Sequence, residues 1–554
     1  MEERLWHQHY DYNVQTEYRI PRLTVFDLLG IPANANPDKA ALNYYGTEIS
    51  YYDLRQMSLR MANALLEMGV KQGDRVGLHL PNVPQYVIGY YAAMSLGAVI
   101  VNFSPLYTPD ELVPLIEQTG VTTFITCDIT VAVIKEVCKR TRIPRVLACS
   151  LFDYLPGAEI STSESLQLEP EWFHFSQVLA GSSNTKKPKV EIKQEDPAMI
   201  QFTGGTTGIP KGALLTQRNM ITASFLCSLW GGGTIGDTPP EKRIIMVALP
   251  LFHVYANIVC MNWSMINSAT MILVPRFEID PVMELIENFE RITFFPAVPT
   301  MISAIINHPK ANELNIAKKV QLLNSGGGPI PVEVIDKVED MGVYYGEGWG
   351  MSETTSLGIA NPVLGLSKPG SIGVPFPMMD AKLVDIETGE TEVPQGEPGE
   401  LLVKGPLVMK EYWENPEKTA AELKDGWLHT GDIAIMDEDG YFFIVDRKKD
   451  MIIAGGYNIY PRDIDEVLYQ HPKVADAIAV GIPHEYRGET VKAYIVLKPG
   501  ETCTEQEIID FCKEKLAIYK VPKLVDFRDE LPKSAVGKIL RKVLRQEEAD
   551  KLKG

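Results

Sequence analysis

TGGTTGIPKG occupies residues 203–212, directly after the short apolar run AMIQF at residues 198–202. Its glycines let backbone N–H groups turn toward a ligand without obstruction from a Cβ, its threonines add hydroxyl donors, and Lys211 adds a positive charge. A strand that feeds such a loop suits a polyphosphate; the competing reading is a tight turn with an exposed lysine. The pattern is not a Walker A motif, because Pro210 precedes Lys211, and it is not GxGxxG. A kinase or a dehydrogenase would need other residues.

Outward from this loop, short β-branched runs recur at residues 76–80, 99–102, 123–126, 244–249 and 271–274, separated by stretches with apolar residues at i, i+3 and i+4. Residues 54–68, ending before Gly69, predict an amphipathic helix. The alternation predicts α/β layers with buried, largely parallel strands. Residues 182–196, SSNTKKPKVEIKQED, read as an exposed loop entering the strand before the glycine-rich motif. After about Val445 the texture becomes more charged, with helices predicted at 461–471 and 505–516 and strands at 475–481 and 492–498. A boundary at Lys449 divides the chain into 1–448 and 449–554, each large enough to hold its own core.

Composition narrows the class. The chain of 554 residues is 45% hydrophobic and 23% charged, with 53 basic and 72 acidic residues and a net charge of −19. An acidic surface repels nucleic acid and disfavours docking on an anionic membrane, though apolar peripheral contact stays open. The cysteines, Cys127, Cys138, Cys149, Cys227, Cys260, Cys503 and Cys512, show no paired spacing and fit a reducing, cytoplasmic compartment. The start, MEERLWHQHYDY, lacks the basic and apolar pattern of a secretory signal. Two stretches without formal charge, 76–109 and 244–275, are interrupted by Pro81, Pro84 and Pro105, and by Pro250, Asn257, Asn262 and Asn267. Neither offers the ~20 apolar residues of a membrane span, so both read as core.

LPLFHVYA around His253, NSGGGP at 324–329, GEGWGMSETT at 346–355, GWLHTGDI at 426–433, VDRKKDMIIAGGYNIYP at 445–461 and PKSAVGK at 532–538 follow the glycine-rich loop in order. Together these motifs resemble those of adenylate-forming enzymes over almost the whole chain. The chain looks closest to bacterial long-chain fatty acid–CoA ligases, through NFSPLYTPDEL at 102–112, TGGTTG in the loop and VPKLVDFRDELPKS near the end. Departures are small: Gly204 replaces a common serine, Trp349 a common tyrosine and Ser352 a common threonine.

The resemblance implies a large N-terminal α/β portion of several subdomains, carrying the AMP- and acyl-binding site, and a small mobile α+β C-terminal domain. It also implies two steps, adenylation of a carboxylate by ATP and transfer of the acyl group to CoA. Thr203, Gly204, Gly205, Thr206, Thr207 and Gly208, with Lys211, would hold the β- and γ-phosphates, while Lys538 would stabilise charge between carboxylate and α-phosphate. Glu353 is the expected Mg²⁺ ligand and Ser352 an α-phosphate contact, although Glu353 could equally satisfy donors at a helix start. Trp349 would stack on adenine, with Gly326, Gly327, Gly328 and Gly350 allowing close backbone approach; Asp432 would take the ribose hydroxyls beside Arg447. His253 would line the acyl carboxylate, or be a satisfied core residue, and no general base is needed for an acid already ionised. Lys449 matches the family's hinge, and Gly455 and Gly456 would move in beside the pantetheine of CoA.

The expectation is therefore a cytoplasmic ATP-dependent acyl-CoA synthetase acting on a medium- to long-chain fatty acid. An aryl-acid ligase of the coumarate type is the alternative, with an inactive nucleotide- or acyl-CoA-binding relative as the third reading. A homodimer and peripheral contact at the inner face of the membrane stay open. The end at Gly554 leaves no carrier domain, which sets aside a peptide-synthetase module.

Overall fold

Residues 4–551 are described by the computed structural model, apart from 159, 160, 163, 204–209, 329, 455, 456, 485, 487 and 535–537 and the side chains of 457 and 458. Among them the strands form four sheets. An eight-stranded sheet carries the parallel strands Arg75–Leu78, Val99–Asn102, Thr123–Cys127 and Arg145–Cys149 and runs out to Pro197–Phe202. A nine-stranded sheet is built on the parallel strands Ile244–Val247, Thr270–Leu273, Ile292–Ala297, Val320–Ser325 and Tyr344–Trp349. These strands are almost wholly buried, as their unbroken apolar runs require of sheets covered on both faces.

Local chemistry sets the element ends. The helix expected at 54–68 spans Tyr51–Glu67, because Ser50 caps it by accepting from the Asp53 N–H at 3.0 Å. Gly69, at φ +88°, takes the left-handed turn that follows it. The strand expected at 244–249 ends at Val247. Beyond that point the carbonyls of Val247 and Leu249 lie 2.9 and 2.8 Å from Asn82 Nδ2, and Asn82 Oδ1 accepts from Leu251 N–H at 2.7 Å. Buried Asn82 thus ends the ladder and turns the chain toward His253.

The asparagines that interrupt the second uncharged stretch are hydrogen-bonded inside the core, although Asn257 Nδ2 has no partner there among the described residues. Residues Ala256–Asn262 form a π-helix in which Asn262 Nδ2 donates to Asn257 Oδ1 at 3.1 Å and Asn262 Oδ1 accepts from Tyr91 OH at 2.9 Å. Among the described residues no helix is long and apolar enough to cross a membrane.

A five-stranded antiparallel sheet includes Gly399–Lys404, Trp427–Met436 and Phe442–Arg447. The last sheet pairs Ile452–Ala454, Tyr457–Ile459, Val474–His484, Gly488–Leu497 and Leu524–Phe527. Helix Pro461–Tyr469 stops short of the expected 471, since Pro472 drives the residue before it out of helical geometry. Ile452, Ile464, Leu468, Ala479, Ile495 and Ile508 build a core of their own, separate from the cluster that runs from Trp6 to Phe442. The chain is thus a large N-terminal α/β portion with a smaller C-terminal domain.

Candidate active site

Strands Pro197–Phe202 and Gly212–Thr216 pair antiparallel, with Phe202 opposite Gly212 and the Thr203 N–H donating to the Lys211 carbonyl at 2.8 Å. The strands on either side of the glycine-rich motif are therefore paired up to Thr203 and Lys211. Gly212 is required there, because a Cβ on it would stand 2.6 Å from Ile200 Cγ2. Gly204, Gly205, Thr206, Thr207 and Gly208 lie outside the described residues, as do Gly455 and Gly456.

Thr203 and Lys211 open on a cavity of about 1580 Å³ that also receives His253, Gly326, Gly327, Gly328, Trp349, Gly350, Ser352, Glu353, Asp432, Arg447, Lys449 and Lys538. Pockets for one small ligand run to ~1,000 Å³, so this cleft has room for more than one. It lies beyond the carboxyl ends of the parallel strands Val320–Ser325 and Tyr344–Trp349, where open α/β sheets present their loops.

Lys211 Nζ pairs with the Glu422 carboxylate and stands 4.7 Å from the Tyr412 ring centroid. Tyr412 OH lies 2.8 Å from Glu353 Oε1 and 2.6 Å from Glu422 Oε2. One phenolic proton cannot satisfy two carboxylates. Burial holds the Glu353 carboxyl above its ordinary value, against the Tyr412 hydrogen bond that favours its charged form. Glu353 and Glu422, flanking one hydroxyl, are the oxygen donors that could hold a divalent cation. Neither Tyr412 nor Glu422 stood out in the sequence; only the fold brings them beside residue 353.

Asp432 faces Arg447 across the antiparallel pair. Its Oδ1 is 2.8 Å from Arg447 Nε, and its Oδ2 accepts from Trp349 Nε1 at 2.8 Å. A carboxylate has about four acceptor sites, so Asp432 keeps capacity for hydroxyl groups of a ligand while Trp349 and Arg447 fix its plane. Gly358 lies under the Trp349 ring, its would-be Cβ 2.6 Å from the indole, and a Cβ on Gly350 would strike the Ser356 carbonyl at 1.8 Å.

His253 Nδ1 accepts from the Tyr255 N–H at 3.2 Å, leaving Nε2 as the protonated nitrogen. Burial, then the charge of Lys538, pulls its pKa down to about 4, so the ring is neutral at pH 7. Tyr255 OH donates to Asn324 Oδ1 at 2.6 Å and packs against Gly326, tying this loop to the glycine run. Lys538 reaches the cleft from the C-terminal domain, its carbonyl accepting from the Ser534 N–H at 2.8 Å. Its ammonium is hemmed in by protein, although water still reaches it through the open cleft. That crowding, then the Arg447 charge, brings its pKa down to about 8. Lys449 lies beside Arg447, its carbonyl held by Arg545 Nη1 at 3.0 Å.

A family model described as AMP-binding enzyme matches residues 31–413, and one described as AMP-binding enzyme C-terminal domain matches residues 463–538. The chain belongs to the AMP-binding enzyme family. This AMP-binding enzyme is 38% identical over 559 residues to a long-chain-fatty-acid–CoA ligase of Bacillus subtilis, with 99% of each chain covered. It is 34% identical over 519 residues to a feruloyl-CoA synthase of Amycolatopsis, covering 93% of this chain and 97% of that one. Among solved structures, ATP-bound MatB from Rhodopseudomonas palustris superposes with a TM-score of 0.84 at 29% identity, over 96% of this chain and 99% of that one.

Proposed function

We propose that this AMP-binding enzyme is a fatty acid–CoA ligase, converting a medium- to long-chain acid, ATP and CoA to acyl-CoA, AMP and pyrophosphate. The observation that carries the substrate class is the wall of the cleft beyond His253. Cys227, Trp230, Ile235, Trp263, Phe294 and Leu322 line it with no charged side chain among them. Full-length similarity to the Bacillus subtilis ligase supports the same reading, and the feruloyl-CoA synthase marks the alternative of an aryl acid.

In the first step the substrate carboxylate attacks the α-phosphorus of ATP and pyrophosphate leaves. Repulsion between anions limits this step, so cations must be in place before it begins. Lys211, with the loop that follows Thr203, holds the β- and γ-phosphates. Lys538 neutralises charge between carboxylate and α-phosphate, and Ser352 contacts the α-phosphate. The uncharged His253 Nε2–H donates toward the acyl carboxylate without serving as a base. Adenine lies on Trp349 beside Gly326, Gly327 and Gly328, and the ribose hydroxyls meet Asp432 and Arg447. Mg²⁺, held by Glu353 with Glu422 close by, would supply further positive charge for the phosphates. Buried Glu353 and partly exposed Glu422, flanking the one Tyr412 hydroxyl, fit that cation.

In the second step the CoA thiol attacks the acyl carbon and AMP leaves. Lys538 occupies the cleft in this structure, so the thiol requires the C-terminal domain to turn about Lys449, bringing Gly455 and Gly456 toward the pantetheine. We place the enzyme in the cytoplasm, a reading its seven unpaired cysteines support.

The test is kcat/KM from acetate through decanoate, alongside benzoate and coumarate, with ATP, Mg²⁺ and CoA saturating. A buried methylene is worth about fourfold, so efficiency climbs steeply along the linear series. Benzoate or coumarate outperforming every linear acid would transfer the assignment to aryl acids.

A further inference from the structure

We propose that Gly231 sets how long an acyl chain this enzyme accepts, the space of its missing side chain being where the chain's distal methylenes pass. The inference rests on the fatty acid reading above. Cys227, Trp230 and Gly231 stand at i, i+3 and i+4 at the end of helix Gln217–Trp230, and all three line the cleft. Helix Gln217–Trp230 packs against the π-helix Ala256–Asn262 that directly follows His253 and Tyr255, which sets it beside the His253 loop. One turn on, Gly231 faces Leu322 from strand Val320–Ser325, and Ile235 lines the same wall after it. The Gln321 side chain donates to the Thr234 carbonyl and pins the segment that carries Ile235 to that strand.

Nothing in the backbone or the packing demands glycine at 231. Its φ of −85° and ψ of 1° are open to any residue. A Cβ there would meet Leu322 Cδ2 at 3.6 Å, an ordinary contact, and among the described residues nothing nearer. Gly233, two positions on, differs: its Cβ would stand 2.6 Å from Leu364 Cδ1, so packing alone accounts for it. Glycine at a helix end with negative φ gives up backbone entropy without conformational return. At 231 the return is open volume between the helix and Leu322. A larger side chain would project from the helix into that gap and stop a linear chain at the level of Cys227.

The experiment compares wild type, Gly231→Ala and Gly231→Leu over linear acids from hexanoate to palmitate, reading pyrophosphate release at saturating ATP, Mg²⁺ and CoA. The readout is the ratio of kcat/KM for palmitate to that for hexanoate. Each excluded methylene removes about fourfold, so a leucine that displaces three of them lowers the ratio about sixtyfold, with the KM for ATP unmoved. The alanine variant lowers the ratio less and serves if Gly231→Leu does not fold. A wild-type profile that rises with chain length and stays parallel in both variants overturns the role of Gly231. A wild type that prefers benzoate or coumarate overturns the fatty acid reading instead, and with it this inference.

Discussion

Lys538 reads as exposed from the sequence, a lysine in a serine- and glycine-containing turn near the C-terminus, yet in the fold its ammonium meets the fields of Arg447 and Asp432 and itself acts on His253. Lys538→Ala should lower the adenylation rate by about 10²–10³, by analogy with loss of one preorganised donor, and spare thioester formation from supplied acyl adenylate. Equal losses in the two half-reactions would deny that division of labour. The same lysine sets a pH limb. Its pKa is depressed to about 8, and the charged form is the useful one, so kcat/KM for ATP in adenylation should fall as pH rises through about 8. A profile flat to pH 10 would remove Lys538 from that role. Motif residues such as Lys211, Glu353 and Asp432 were legible in the sequence because each sits in a local pattern of its own. Tyr412 and Glu422 were not, since they reach Lys211 and Glu353 only through a strand pairing of Tyr412 with Ala213, and no local pattern marks either. Tyr412→Phe removes the side-chain donor to buried Glu353 and should cost about 1–3 kcal/mol in urea unfolding. Unchanged stability would mean that Glu353 finds another donor in the variant.

At the scale of elements, the strands and helices that periodicity marked lie within a few residues of those observed, because buried parallel strands and amphipathic helices write their burial directly into the chain. Where expectation and structure differ, a side chain intervenes: Ser50 begins a helix three residues early, and Asn82 ends a strand two residues early. The π-helix Ala256–Asn262 left no such signal, as its buried asparagines are paid for by tyrosines far away in sequence. The proposed hinge is also a junction of elements. Lys448 N–H donates to the Gly431 carbonyl at 2.9 Å, and Lys448 Nζ meets buried Glu400 Oε2 at 3.0 Å, while Arg545 holds the Lys449 carbonyl from the C-terminal side. Contacts of both domains thus converge on adjoining residues. Lys449→Pro fixes one φ between them. Thioester formation, for which the proposal requires the domain to turn, should lose more than adenylation, for which Lys538 already stands in the cleft. Half-reactions measured separately decide this, and an unaffected overall rate would move the hinge elsewhere.

For the whole molecule, hydrophobic clusters that each fall wholly on one side of Lys449 make the division of labour testable at its largest scale. The cluster from Trp6 to Phe442 contains no residue beyond 449, and the cluster from Ile452 to Val525 contains none before it. A chain ending at residue 448 therefore keeps the full core of the large portion, together with Lys211, Glu353, Trp349, Asp432 and Arg447. It loses Lys538 and the contacts that Arg545 makes at the hinge. Such a chain should unfold cooperatively and bind a non-hydrolysable acyl-adenylate analogue within about tenfold of the full enzyme, since one charge contact is worth about 1.4 kcal/mol or less in an open site. Its adenylation rate should match that of Lys538→Ala, because both lack the same ammonium and retain the same phosphate, ribose and adenine contacts. Calorimetric binding and pyrophosphate release on the two proteins, side by side, give the answer. If the shortened chain binds the analogue normally but adenylates far more slowly than Lys538→Ala, the C-terminal domain contributes to adenylation through more than its lysine. Exclusion of water from the cleft is then the next term to measure.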